Sequence, residues 1–145
     1  MAHKEDMRNS TNIDQYKIFT INGTKVGRNG ANSRRSDIQL IQFFLSQFYR
    51  WHPELFATLP KTKSSSRRFK IDGIYGKQTE TGIRQFQQYL VKKGSRIVTD
   101  GLVDVPRGTF TKVTKSTYTI IWMNKYYIDN GEEPEYPANL ENHPD

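Results

Sequence analysis

The stretch Asp72-Gly73-Ile74-Tyr75-Gly76-Lys77-Gln78-Thr79 constrains this chain more than any other. Two glycines punctuate a tight turn, and a helix then begins abruptly, with an apolar stripe at Ile83, Phe86 and Leu90. Glycine tolerates backbone angles that other residues resist, and an Asp at a turn start accepts bonds from the N–H groups that follow. The pattern therefore predicts a rigid loop fixed to a helix N-terminus, where backbone N–H groups can face a ligand.

Helical periodicity recurs on both sides of this loop. Ile38, Ile41, Phe44, Leu45 and Phe48 fall on one broad apolar face, with Ser36 as the expected N-cap, Asp37 complementing the helix dipole and Pro53 at the exit. Gln42 sits at the margin of that face, as Gln87 does on the second helix, expected over Lys77 to Lys92. Buried amides need partners, so both glutamines are expected to satisfy loop carbonyls and N–H groups. Gly82, on the inner side, predicts close approach of another backbone. Thr99-Asp100-Gly101-Leu102-Val103 repeats the Asp-Gly turn, and a third helix is expected from about Tyr118 to Ile128, with Ile120, Met123, Tyr127 and Ile128 inward. The aromatic group Phe44, Phe48, Tyr49, Trp51 and Phe86 reads as core. Residues 1–15 carry no periodicity and are expected to be disordered. Tyr16 to Ile21, Asn22-Gly23 and Thr24 to Val26 predict a small N-terminal β-hairpin. Residues 60–70 form a basic, Ser-rich connection expected to be a mobile loop. The expected domain spans residues 16–128, followed by an acidic disordered tail over 129–145.

Charge sharpens the choice of partner. Six of the 15 acidic residues lie from Asp129 onward, without a Lys or Arg, so residues 1–128 hold 22 basic against nine acidic residues, a net of +13. Such a body favours a polyanion: nucleic acid, anionic lipid or an acidic cell-wall polymer. No apolar run is long enough to cross a bilayer, so no membrane insertion is expected. The start of the chain lacks the apolar stretch of a secretory signal, and zero cysteines exclude disulfides and thiolate metal sites.

Taken together, these motifs resemble those of the bacterial peptidoglycan-binding domain family. Asp72, Gly73, Gly76 and Thr79 complete its Asp-Gly-x-x-Gly-x-x-Thr signature, and Ile83, Phe86 and Gln87 its helix. Ile38, Ile41, Gln42 and Leu45 match its first helix, and Asp100, Gly101 and Val103 its second turn. The likeness covers about residues 26–128. After Val103 the family often continues Gly-Pro-x-Thr, whereas Asp104 to Thr109 intervene here. The resemblance implies a mainly α, compact three-helix module that binds peptidoglycan without catalysis, in the cell envelope by an unknown export route. It would anchor itself or a partner, such as a cell-wall hydrolase or a secretion or phage-tail-like apparatus. Asp72, Gly76, Thr79 and Gln42 would frame a shallow groove for a muramyl-peptide stem.

Tyr75 projects between two glycines, and its ring suits a sugar or peptide face. The same ring could instead fold back as a lid on the core. Arg84, facing water one turn beyond the loop, could pair with a stem carboxylate or stay solvated. No catalytic residue, metal site or cofactor is expected: His3, His52 and His143 have no partners at metal-ligand or triad spacing. The alternative is a basic three-helix nucleic-acid-binding protein using Arg34, Arg35, Lys61, Lys63, Arg67, Arg68 and Lys70.

Overall fold

The computed structural model describes residues 3–6, 17–20, 25–27, 34–61, 68–104 and 118–129. The protein is mainly helical: α1 (Arg35–Trp51), α2 (Pro53–Phe56), α3 (Lys77–Lys92) and α4 (Thr119–Asp129). Two antiparallel strand pairs accompany the helices. β1 (His3–Asp6) pairs with β2 (Lys17–Thr20), and β3 (Lys25–Val26) pairs with β4 (Val103–Asp104).

Helix α1 is the central element. Its predicted face, Ile38, Ile41, Phe44, Leu45 and Phe48, is buried, but so are Leu40 and Phe43 on other sides. The reason is that α1 packs against both α3 and α4 and also touches β2. Phe48 takes edge-on contacts from Phe86 and Tyr126, and Phe43 from Tyr127. Such edge-to-face pairs add to the area term of burial. The helix begins at Arg35 behind an Arg34 N-cap with no side-chain cap bond, so Ser36 lies inside the first turn rather than capping it. Pro53 opens α2, a single turn that extends the exit from α1.

Several expectations are corrected. Among the described residues, the strands on either side of Asn22-Gly23 do not pair with each other: β2 takes β1 and β3 takes β4. The long-range pairing sets Val26 opposite Val103, and both are fully buried, which a local hairpin would not achieve. His3–Asp6, inside the segment expected to be disordered, is a strand. Trp51 is half exposed rather than core. Phe69, in the connection expected to be mobile, is buried and stacked on Tyr49 with ring centroids 5.5 Å apart. At Gly82 a Cβ would meet the Leu45 and Phe69 side chains at 3.1 and 3.2 Å, so the close neighbours are side chains, not backbone. Residues 1–2, 7–16, 21–24, 28–33, 62–67, 105–117 and 130–145, and the side chain of Ile128, lie outside the described residues.

Candidate functional site

The first Asp-Gly turn is built around one buried amide. Gln42, 1% exposed on α1, donates through Nε2 to Asp72 Oδ1 at 3.0 Å, the Ile74 carbonyl at 3.1 Å and Thr79 Oγ1 at 3.0 Å. Its Oε1 accepts the Gly73 N–H at 2.8 Å. Asp72 Oδ1 also accepts the Ile74 N–H at 2.9 Å, closing the turn locally as its sequence predicted. The side chain therefore ties helix α1 to the turn and to the first turn of α3.

The second Asp-Gly turn repeats the arrangement atom for atom. Gln87, fully buried on α3, donates through Nε2 to Asp100 Oδ1 at 3.3 Å, the Leu102 carbonyl at 3.0 Å and Thr119 Oγ1 at 3.0 Å. Gly101 N–H donates to Gln87 Oε1 at 2.9 Å, and Leu102 N–H to Asp100 Oδ1 at 3.0 Å. Each helix thus holds the turn that leads into the next one. Counting eight residues from each threonine reaches Gln87 on α3 and Tyr127 on α4. Tyr127 packs its ring against Phe43 and Phe44 instead, which ends the series.

Gly73 and Gly101 sit at φ +73° and +74°, angles that cost other residues about 1–2 kcal/mol. An arginine covers each of them. A Cβ on Gly73 would come within 2.5 Å of Arg35 Cγ, and one on Gly101 within 3.1 to 3.2 Å of the Arg84 guanidinium. Gly76 differs from its expectation: at φ −123° its backbone is ordinary extended chain, and a Cβ there would meet nothing within 4 Å. It is exposed at the N-cap of α3, and its carbonyl accepts the Glu80 N–H.

The candidate residues therefore divide. Gln42, Asp72 and Thr79 are committed to the frame; the Thr79 hydroxyl is bonded by the Gln42 amide rather than serving only its own backbone. Gly76 and Arg84 are exposed. Tyr75 is intermediate, with its ring folded onto the core. Its hydroxyl is enclosed without a hydrogen-bond partner, which costs about 1–3 kcal/mol in a buried setting. Burial, then the charge of Glu80, push its phenol up to about 12, while Arg84 pulls the other way. Tyr75, Glu80 and Arg84 thus form one local group.

Ile74 was not anticipated. It is 63% exposed at the tip of the turn, beside Tyr75. The turn alone carried no signal for it, since Leu102, at the same place in the second turn with the same N–H and carbonyl bonds, is partly buried beside Gly27. Among the described residues no group of three or more His, Cys, Asp or Glu side chains converges, and no helix is long and apolar enough to cross a membrane. His52 instead lies on Phe48, with Nδ1 3.3 Å from the exposed Glu54. Compared with family models, curated proteins and solved structures, the chain finds no match.

Proposed function

We propose that the protein is a non-catalytic binder of bacterial cell-wall peptidoglycan, a three-helix module of the peptidoglycan-binding type with strand pairs added. The observation that carries this reading is the paired frame. The residues of the signature, Gln42, Asp72, Gly73 and Thr79, hold one another and leave Ile74, Gly76 and Arg84 exposed, with Tyr75 half-buried between them. A preorganised loop binds with little loss of conformational freedom, which suits a shallow site on an extended polymer.

Charge supports the same partner. Stem peptides carry free carboxylates, and a body at +13 attracts them in a salt-dependent manner. The role follows as anchoring: the protein holds itself, or a hydrolase or secretion apparatus joined to it, at the wall in the cell envelope. Nucleic-acid binding draws on the same charge, with Arg34 and Arg35 exposed at the start of α1. It lacks a reading surface on α3, where Arg84 and Gln88 stand among few other contacts.

Sedimentation with purified sacculi across a salt series tests the proposal, with duplex DNA as the competing ligand. Retention at low salt that fades as salt rises, with weak DNA binding, is the expected result. Tight duplex binding without retention on sacculi overturns it.

A further inference from the structure

Away from the two turns, the exits of three helices meet in a patch of half-buried rings. Tyr89 lies in the last turn of α3, Tyr126 in the last turn of α4, and His52 caps the end of α1. Ring centroids are 5.0 Å apart for His52 and Tyr89, 6.2 Å for His52 and Tyr126, and 6.0 Å for the two tyrosines. All three rings also contact the buried Phe48. Lys93 holds its ammonium 5.5 Å from the centre of the Tyr89 ring. Lys92, three residues after Tyr89, lies on the same side of the helix. Both lysines are exposed, and exposed Arg96 follows. Two charges oppose them: Glu54, 3.3 Å from His52 Nδ1, and the negative end of the α3 dipole, about half a charge. The balance stays positive.

The opposite charge begins six residues after Tyr126. Residues 130–145 hold Glu132, Glu133, Glu135, Glu141 and Asp145 and no Lys or Arg, with Tyr136 among them. From Asp129, the last residue of α4, an extended chain to Glu135 reaches about 20 Å. The steps from Tyr126 to Tyr89 and from Tyr89 to the Lys93 ammonium, 6.0 and 5.5 Å, fall within that reach.

We propose that the acidic segment 130–145 docks back on this patch and shields it from polyanions. Its glutamates meet Lys92 and Lys93, and Tyr136 packs against the pair Tyr89 and Tyr126. Tethering gives the segment a millimolar effective concentration, so a contact too weak to hold a separate peptide is filled here. A polyanion must displace the segment to reach the patch, which favours densely charged ligands over single anions. The contact does not depend on which polyanion the body takes, so its failure and that of wall binding are separate outcomes.

The chain contains no cysteine, so a nitroxide on Ala138→Cys reports where the segment lies. In the isotope-labelled whole chain at low salt, amide signals from Tyr89 to Arg96 are expected to lose most of their intensity, and those of Arg34 and Arg35 to keep it. High salt, a heparin oligosaccharide, Lys92→Gln with Lys93→Gln, or Glu132→Gln with Glu133→Gln and Glu135→Gln should each restore the signals. Losses centred elsewhere, or losses that survive the glutamate substitutions, overturn the contact. Broadening of a labelled chain by spin-labelled copies in a mixture also overturns it, because the segment then sits on a second copy. Signals that heparin leaves broadened overturn the shielding.

Discussion

The two Asp-Gly turns have the same interior and different exteriors. Both are tied by a buried glutamine to an Asp, a Gly N–H, a carbonyl and a Thr hydroxyl. After the first turn α3 begins at Lys77, so Ile74, Tyr75 and Gly76 crowd against a helix N-terminus. After the second the chain enters β4 and α4 starts only at Thr119. That turn is covered: a Cβ on Gly27 would strike the Gly101 carbonyl at 2.7 Å and Leu102 Cδ2 at 2.6 Å. The comparison teaches that the recurring motif makes a structural joint, and that the two joints differ in what they leave uncovered.

The sharpest way to break the equivalence is to remove the amides. Gln87→Ala would strand Gly101 N–H, the Leu102 carbonyl and Thr119, and Gln42→Ala their counterparts. Each should cost roughly 3 to 5 kcal/mol, the two agreeing within about 1 kcal/mol in denaturant unfolding. A large difference would show that the joints are alike in geometry but not in energy. The glycines come next. Gly73→Ala and Gly101→Ala should each lose about 1–2 kcal/mol, whereas Gly76→Ala should change stability by less than about 0.5 kcal/mol. A costly Gly76→Ala would contradict the open space seen around it.

Alkaline titration separates the turn from the core by a smaller effect. Tyr75 and Tyr126 are raised to about 12 from 10.0, chiefly by burial, and Tyr49 is raised further. The folded chain therefore keeps protons that the unfolded chain loses above pH 10. Stability from these groups is complete below pH 10 and falls as pH rises through about 12. Unfolding free energy measured across that window should fall, less steeply in Tyr75→Phe. The smallest effect is Tyr75→Phe at neutral pH, expected to leave stability unchanged or raise it by up to about 1 kcal/mol, because it deletes a hydroxyl with no partner. A clear loss in thermal melting would mean that the hydroxyl has a partner after all.

The helices were legible because their apolar residues recur at helical spacing, and α3 begins and ends where its motif and Lys92 suggested. The glutamines were legible too, since an amide on the edge of an apolar face must find partners. The strands were not. Lys25–Val26 pairs with Val103–Asp104 across most of the chain, and no local pattern encodes a partner so distant. Burial of Leu40 and Phe43 escaped the one-sided reading of α1 because the helix is covered by several elements. At the site, Tyr75 and Arg84 were visible as candidates, but the orphan hydroxyl and the contact of Arg84 with the second turn depend on three-dimensional placement.

The most direct test of the central claim is a chemical-shift map of the protein with soluble peptidoglycan fragments. The account predicts changes gathered at Ile74, Tyr75, Gly76, Glu80 and Arg84, weaker ones at Gly101 beneath the Arg84 guanidinium, and little at Leu102 and Thr119. Changes centred on the second turn, or none at either, would contradict it.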